Sequence, residues 1–248
     1  MKISIITVVK NDKINLLKSL RSVLSQNQKN FEYIIYDGMS NDGTKYFIKK
    51  YLKKNIKYIC KKDKNYYDGL NYAIKKAKGE YIGILNAGDV YFNSHVLKKV
   101  FKKIKSTKFD LLFGNLIYVD NKKNYLRIWN YVVKKLNPIT ALKIASSTLI
   151  VKKKILVKYP YNTSYSISSD VDFNINISKK YFKFIHMNEF MIFMKSGGMS
   201  NNPSFFLKKI KQDFLILKNH FGIFYLFIYI YKILIKILKF KIIKNKKI

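Results

Sequence analysis

Apolar residues in the first half of the chain follow two alternating periodicities. Short runs that are almost wholly apolar predict buried strands, and apolar residues three or four positions apart predict helices that face a core. The predicted strands cover residues 3–9, 32–37, 56–60, 81–85 and 110–119. The predicted helices lie between them, at 14–24, 43–52, 70–77 and 96–104, and the third is expected to end at Gly79 as its C′ residue. This order predicts an α/β fold with a mostly parallel, doubly wound sheet and helices on both faces.

The pattern becomes irregular after about residue 121. Strand-like segments at 125–133, 148–151 and 182–186 mix with short helices around Ala141 and Phe173. A chain of 248 residues can bury one large core. We therefore expect residues 1–120 and 121–204 to form the two halves of one domain, and residues 205–248 to form a separate helical tail.

The tail has its own pattern. Residues 221–231 carry no charge, and the tail's Lys211, Lys218, Tyr225, Lys232 and Lys239 recur every seven positions, on one helical stripe. A spanning helix needs about twenty apolar residues, and the lysines interrupt such a run. The pattern predicts a basic amphipathic helix that lies on an anionic membrane with its lysines toward the headgroups. The alternative is a helix whose apolar face covers the domain.

Composition narrows the class of protein. The chain has 49 Lys and Arg against 14 Asp and Glu, a net charge of +35. Only Arg21 and Arg127 are arginine, whereas nucleic-acid readout relies on the arginine fork. Nucleic acid is therefore disfavoured, and an anionic membrane surface is the expected partner of this charge. The single cysteine, Cys60, excludes an internal disulfide and a cysteine-based metal cluster. The N-terminal apolar run is too short for a signal peptide, so we expect a cytoplasmic protein.

Polar residues cluster where the predicted strands end. Thr7 and Asp37 end the first two strands, and Asn86 and Asp89 follow the fourth. Ligands of open α/β sheets bind at this edge, so two acidic strand ends indicate a site for a sugar nucleotide and its metal. Asp89 is the predicted metal ligand, because a hard cation takes oxygen ligands and a diphosphate can supply the rest. The alternative for Asp37 is a turn in which it binds its own backbone, and Asp42 is expected to cap a helix.

Linked segments of the first half carry a family resemblance. They comprise residues 4–11, 22–26, 32–44, 63–71, 77–82 and 85–89, in unbroken order. Together they resemble glycosyltransferase family 2, the inverting enzymes with the GT-A fold. The resemblance implies that Thr7, Asp37 and Asp63 bind the nucleoside of a nucleotide sugar. It also implies that Asp89 ends a metal-binding acidic motif for Mg²⁺ or Mn²⁺, with Asn86 among the residues that bind the nucleotide sugar.

Some positions depart from the family's pattern. Asn86 and Gly88 stand where the family usually has further carboxylates, and Lys10 stands where many members have Tyr near the base. A motif with one carboxylate predicts weaker metal binding. Some relatives have a His near the positions of Ser146 and Ser147. This chain has no His there, so that part of the acceptor site is left unassigned.

A further segment, Ser168 to Phe173, resembles the family's segment that carries the catalytic base. By position, Asp170 would remove the proton from the acceptor hydroxyl as its oxygen attacks the anomeric carbon. The alternative is that Asp170 caps the helix that starts there, with Asp172 as ordinary first-turn charge. Residues 196–200 also match a loop common in these enzymes, which we expect to fold over donor or acceptor.

The predicted function is that of an inverting glycosyltransferase of the hexosyltransferase type. It would move a sugar from a nucleotide diphosphate, expected to be UDP, to a hydroxyl of a glycan or lipid-linked acceptor in surface polysaccharide biosynthesis, with a divalent cation as cofactor. It would work in the cytoplasm, held peripherally on the inner face of the cell membrane by its tail. One alternative is a catalytically degenerate member that binds nucleotide sugar or a partner enzyme without turnover. The other is a basic nucleic-acid-binding protein.

Overall fold

One mixed sheet forms the centre of the protein. The computed structural model describes residues 2–52, 55–120, 125–196 and 205–238, and within them nine strands form this sheet. The strands are β1 (Ile3–Val9), β2 (Glu32–Asp37), β3 (Ile56–Cys60), β4 (Tyr81–Ile84), β5 (Val90–Tyr91), β6 (Leu111–Val119), β7 (Tyr125–Trp129), β8 (Ile150–Lys152) and β9 (Phe184–Lys195). Their order is β3-β2-β1-β4-β8-β6-β9-β5, and β7 pairs with β6.

Helices cover both faces of the sheet, as predicted. They are α1 (Lys13–Leu24), α2 (Thr44–Lys49), α3 (Tyr66–Lys76), α4 (Val96–Ser106), α5 (Pro138–Ala141), α6 (Lys153–Lys158), α7 (Ser169–Ser178), α8 (Phe206–Phe221) and α9 (Tyr225–Ile237). Ile5 and Ile6, neighbours in β1, belong to two different buried clusters. Since successive residues of a strand point to opposite faces, α1 and α4 cover one face, and α3, α6 and α7 cover the other.

Six of the nine strands run in one direction. β3, β2, β1 and β4 are mutually parallel, and β1 and β2 are buried along their whole length because both of their faces are covered. β8 runs antiparallel to both β4 and β6, so β6 has the direction of β4, and β9 is parallel to β6. β5 and β7 run antiparallel to β9 and β6. Within the described residues the sheet is therefore mostly parallel, as predicted, and β5, β7 and β8 make it mixed.

Two local expectations differ from the structure. The strand predicted at 182–186 continues to Lys195 because β9 pairs with β6 as far as Val119. The third helix ends at Lys76, three residues before Gly79. A Cβ on Gly79 would lie 2.4 Å from the backbone nitrogen of Ser4, so this glycine permits close approach of β1 and is not the predicted C′ residue.

The tail is two helices that pack on the domain through a side that is partly apolar and partly polar. Ile216, Leu217 and Ile235 join the buried clusters, and Gln212, Asp213 and Lys232 are buried beside them. Gly222, with φ of 55°, separates α8 from α9. Lys232 is only 5% exposed, and its Nζ lies 2.8 Å from Asp213 Oδ2 on α8. The predicted lysine stripe toward the membrane is therefore wrong at Lys232, because the turn at Gly222 resets the helical register. Lys211 and Lys218 are exposed as expected, and Lys239 lies outside the described residues.

The outer side of the tail is apolar. Helix α9 exposes six large apolar side chains: Leu226, Phe227, Ile230, Ile233, Leu234 and Ile237. Residues 206–237 are also long and apolar enough, by length and composition, to cross a membrane. The tail thus covers the domain on one side and presents an apolar surface on the other.

Candidate active site

Asp42 stabilises the starts of two helices in the loop after β2. Its Oδ2 accepts the N–H of Lys13 at the start of α1, at 2.8 Å. Its Oδ1 accepts the N–H and the hydroxyl of Thr44 at the start of α2, at 3.1 and 2.6 Å. The expected helix-stabilising role is present, although Gly43 occupies the N-cap position of α2.

Asp37 ends β2 and is completely buried, with 0% of the residue exposed. Its Oδ1 accepts the N–H of Ser40 at 2.8 Å, and its Oδ2 accepts the hydroxyl of Tyr58 at 2.5 Å. The bond to Ser40 is the backbone turn that the sequence left open as the alternative. In this structure the carboxylate therefore holds the turn and has no surface open to a ligand.

Asp63 is the more accessible carboxylate beside this turn. Two glycines make room for it: a Cβ on Gly38 would lie 2.7 Å from Asp63 Oδ2, and one on Gly69 would lie 3.0 Å from it. Partial burial raises the pKa of Asp63, the positive charge of Lys10 opposes the rise, and neighbouring carboxylates including Asp37 add to it. A partly exposed carboxylate so placed can accept hydrogen bonds from the hydroxyl or imide groups of a nucleoside.

Thr7 is fully buried within β1. Its hydroxyl donates to the carbonyl oxygen of Leu85 at 2.6 Å and lies 2.9 Å from the hydroxyl of Tyr33. Its polar atom therefore links β1 to β2 and to the end of β4, and the expected contact of Thr7 with the base stays a prediction.

Asp89 and Asn86 form one hydrogen-bonded network after β4. Asp89 Oδ1 accepts the backbone N–H of Lys195 at 3.1 Å, and its Oδ2 accepts from Asn86 Nδ2 at 3.2 Å. Asn86 Oδ1 accepts the hydroxyl of Tyr66 at 2.5 Å. Asp89 is 3% exposed. Burial raises its pKa to about 7, and the two hydrogen bonds oppose that rise.

The network by itself offers too few oxygen ligands for a divalent cation. Among the described residues no group of three or more His, Cys, Asp or Glu side chains is arranged to hold a metal ion. Asp89 is the carboxylate of the motif, and the carbonyl of Asn86 already accepts from Tyr66. Since Mg²⁺ and Mn²⁺ prefer several oxygen ligands, a cation here needs further oxygens from a bound diphosphate.

Two consecutive tyrosines at the start of α3 connect this network to Asp170. Tyr66 donates to Asn86, as described above, while the hydroxyl of Tyr67 donates to Asp170 Oδ1 at 3.2 Å and to the carbonyl of Ile167 at 3.0 Å. Tyr67 is buried and Tyr66 is partly buried, and burial raises the pKa of each hydroxyl far above its ordinary value. The negative charges of Asp89 and Asp170 add to the rise in the pKa of Tyr66.

Asp170 is the second residue of α7, which begins at Ser169. Its carboxylate binds Tyr67 and no N–H of the helix end, so the capping alternative does not describe it. Gln212 of α8 supports the approach to the helix, because its Oε1 accepts the N–H groups of Ile167 and Ser168 at 3.0 and 3.2 Å.

Asp172, expected to be first-turn charge, has a specific partner. Its Oδ1 lies 2.8 Å from Nε2 of His220, near the end of α8. The two carboxylates of the segment therefore differ in environment: Asp170 faces a tyrosine and a cavity, whereas Asp172 ties α7 to the tail.

A cavity of about 140 Å³ opens beside Asp170. Ser146 and Ser147, the positions left unassigned by sequence, are part of its wall. Four basic side chains also line it: Arg127, Lys209, Lys232 and Lys236. Of the loop expected at 196–200, only Ser196 is described, and the other four residues lie outside the described residues.

Sequence reasoning missed several of these neighbours. The pair Tyr66 and Tyr67 lies within the segment 63–71 that carried the resemblance, and its aromatic character was the available signal. Lys195 was missed because the last strand was predicted to end nine residues earlier. The basic wall of the cavity comes from β7, α8 and α9, and no local pattern connects residues so far apart in the chain.

Comparison with known proteins agrees with this geometry. Residues 4–170 match the family model described as Glycosyl transferase family 2. The glycosyltransferase MJ1057 of Methanocaldococcus jannaschii is 29% identical over 229 residues, which are 88% of this chain and 79% of that protein. The Escherichia coli UDP-Glc:α-D-GlcNAc-diphosphoundecaprenol β-1,3-glucosyltransferase WfaP is 36% identical over 102 residues, 40% of this chain and 39% of that protein.

The fold has solved relatives. Residues 1–349 of S. aureus TarS, in a crystal structure with UDP-GlcNAc, superpose with a TM-score of 0.69 at 18% identity, over 88% of this chain and 66% of that one. At this identity the similarity establishes the fold. The family match covers more than half of the chain. The chain therefore belongs to glycosyltransferase family 2 and is a glycosyltransferase with the GT-A fold.

Proposed function

We propose that this glycosyltransferase moves a sugar from a UDP-sugar to a hydroxyl of a glycan or lipid-linked acceptor, with inversion at the anomeric carbon, in surface polysaccharide biosynthesis. The observation that carries the proposal is the adjacent pair Tyr66 and Tyr67. Tyr66 bonds Asn86 of the Asp89 network, and Tyr67 bonds Asp170. The names of WfaP and of the TarS complex support a UDP-sugar donor and, for WfaP, a lipid-linked acceptor.

Asp170 is the proposed base. The acceptor hydroxyl gives its proton to the Asp170 carboxylate as its oxygen forms a bond to the anomeric carbon. The bond between that carbon and the diphosphate oxygen breaks on the opposite face, which inverts the configuration. Tyr67 and Gln212 hold the carboxylate and the start of α7 in place, so that the base meets the hydroxyl without reorganisation.

The donor side of the proposal rests on two groups of residues. Asp63, in the space left by Gly38 and Gly69, accepts hydrogen bonds from the nucleoside. Asp89 holds a divalent cation jointly with the diphosphate, and such a cation neutralises the charge of a leaving diphosphate. The hydrogen bonds from Asn86 and Lys195 fix the orientation of the Asp89 carboxylate, which would hold the cation.

The decisive test compares Asp170→Asn with Asp172→Asn, the same change two residues away on the same helix. UDP-sugars are screened with lipid-linked and soluble sugar acceptors, and UDP release and donor binding are measured separately. Asp170→Asn should lower transfer by about 10²- to 10⁴-fold and leave donor binding intact, whereas Asp172→Asn should keep most of the transfer rate. Full turnover by Asp170→Asn would reject the assigned base.

A catalytically degenerate member is the second candidate. One observation favours it. The motif of residues 86–89 has a single carboxylate, Asp89, and both oxygens of that carboxylate already accept N–H groups, which leaves less capacity to bind a cation. Hydrolysis of a UDP-sugar that depends on Mn²⁺ or Mg²⁺ and is lost in Asp89→Ala would exclude this candidate. Donor binding without hydrolysis or transfer under any tested condition would favour it.

The apolar side of the tail supports a peripheral position on the cytoplasmic face of the membrane. We propose that Phe227 and Ile230, both exposed on α9, enter the membrane interface, where apolar helix faces bind. The double change of Phe227 and Ile230 to Lys should release the protein from anionic vesicles in a sedimentation assay. The same two charges placed at Ile14 and Tyr46, which are exposed elsewhere, serve as the control. Equal binding of both double variants to the vesicles would contradict the proposal.

A further inference from the structure

Four basic side chains converge on the cavity beside Asp170 from three separate elements. They are Arg127 of β7, Lys209 of α8, and Lys232 and Lys236 of α9. One carboxylate, Asp213, is shared between two of them: its Oδ2 lies 2.8 Å from Lys232 Nζ and 3.9 Å from Lys209 Nζ. With Asp170 counted as well, four basic side chains face two carboxylates among the described residues, so positive charge exceeds negative charge.

These groups are partly withdrawn from water. Lys232 is buried and has Asp213 as its ion-pair partner, while Arg127, Lys209 and Lys236 are partly buried. The Nε of Arg127 is buried without a hydrogen-bond partner in the described part of the chain. Burial lowers the pKa of Lys236 to about 7, and repulsion from Lys209 and Lys232 adds to this effect. Buried polar groups that lack acceptors destabilise a fold, so an anion that entered the cavity would supply an acceptor for Arg127 and would relieve the repulsion among the lysines.

The position of the cavity restricts what that anion can be. Asp170, Ser146 and Ser147 line it on the side of the proposed chemistry. Lys232 and Lys236 enter it from α9, whose opposite side exposes apolar residues such as Phe227 and Ile230. A bound anion therefore lies between the base that activates a sugar hydroxyl and a surface suited to a lipid.

We infer that the cavity binds the diphosphate that joins the acceptor sugar to its lipid chain, with Arg127, Lys209, Lys232 and Lys236 as its ligands. A diphosphate diester is an anion, and its negative charge complements the excess positive charge of the cavity. Its order of sugar, diphosphate and lipid also matches the order of base, cations and apolar surface. The inference rests on the proposed function and deepens it, because it makes the tail part of the acceptor site.

The test uses farnesyl diphosphate as the probe and the full chain as the protein, with calorimetric titration as the measurement. Lys209→Gln and Lys236→Gln remove one charge each, while Lys232 is kept so that Asp213 retains its partner. Each variant should bind farnesyl diphosphate at least about tenfold more weakly than the parent, as expected for a lost charge-assisted hydrogen bond. Lys211→Gln, on the exposed side of α8, is the matched control and should bind as the parent does.

Titration of UDP into the same variants identifies the source of the diphosphate. Unchanged UDP affinity is expected, and an equal loss of UDP affinity would assign the cavity to the donor and overturn the inference. Absence of farnesyl diphosphate binding to the parent protein would also overturn it, as would equal affinity for farnesol. Loss of binding to anionic phospholipid vesicles, with no effect on farnesyl diphosphate, would assign the lysines to membrane headgroups instead. The proposed function is judged apart from these results, by UDP-sugar binding and by Asp170→Asn.

Discussion

Two variants that each lose one hydroxyl group can test the placement of the base and the binding of the donor independently. Tyr67 and Tyr66 are adjacent, both bury their hydroxyls, and each donates to a different partner. Tyr67→Phe removes the bond to Asp170 and leaves the ring in place. Tyr66→Phe removes the bond to Asn86 in the same way, so the two variants are matched controls for each other.

The size of each effect follows from the geometry. The hydroxyl of Tyr67 has one proton, which lies between the carbonyl of Ile167 at 3.0 Å and the carboxylate of Asp170 at 3.2 Å. These distances are long for a charge-assisted bond, so we take the low end of the range, about 1.5 kcal/mol. Loss of that amount from the placement of the base lowers the rate of the chemical step about tenfold. The bond from Tyr66 to Asn86 joins neutral groups and is worth about 1 kcal/mol, or about fivefold in donor affinity.

The assay is single-turnover transfer with enzyme in excess, because product release then does not mask the chemical step. Tyr67→Phe should lower the single-turnover rate about tenfold with little change in donor affinity, and Tyr66→Phe should weaken the donor with a smaller effect on the rate. Tyr67→Phe should lose more thermal stability than Tyr66→Phe, because the Tyr67 hydroxyl bonds the carbonyl of Ile167 and both the carboxylate and the N–H of Asp170, whereas the Tyr66 hydroxyl bonds Asn86. Identical kinetic profiles in the two variants would show that the losses reflect stability alone and would refute the positioning role of Tyr67.

Two further changes probe the donor side. Gly38→Ala places a Cβ 2.7 Å from Asp63 Oδ2 and should displace that carboxylate. UDP binding, measured by calorimetric titration, should then weaken about tenfold. Unchanged affinity for UDP would show that Asp63 is not part of the nucleoside site. Asp89→Asn tests the raised pKa in metal-free protein. A carboxyl whose pKa rises from 3.8 to about 7 on folding stabilises the fold fully below about pH 4, and this stabilisation is lost as the pH rises through about 7. The difference in free energy of unfolding between parent and Asp89→Asn should therefore change by about 1.4 kcal/mol per pH unit between pH 5 and 7, and parallel urea-unfolding results across that range would contradict it.

Local pattern predicted the N-terminal half of the fold closely. The first three strands have the bounds that their apolar runs predicted, because a strand covered on both faces needs an unbroken apolar run. The second half was less predictable, since β9 is defined by its pairing with β6, about seventy residues away in the chain. A strand end that depends on such a partner leaves little trace in its own sequence.

The candidate site divides in the same way. Motif order brought Asp63, Asn86, Asp89 and Asp170 to attention. The structure places the last three near Tyr66 and Tyr67, and it places Asp63 in the space beside Gly38 and Gly69. Thr7 has the polarity and the position in its strand that a ligand contact would need. Whether its hydroxyl faces a ligand or the neighbouring strand depends on Tyr33 and Leu85, which its own segment does not contain.

The sequence by itself determined the strand–helix alternation, the acidic strand ends and the family, because these depend on residues close together in the chain. Only the tertiary structure decided which carboxylates are accessible: Asp37 is enclosed by Ser40 and Tyr58, while Asp63 stays partly open. It also turned Lys232 of the tail inward. Lys232 faces Asp213 because a turn at Gly222 sets the angle between two helices, and the heptad spacing alone contains no information about that angle.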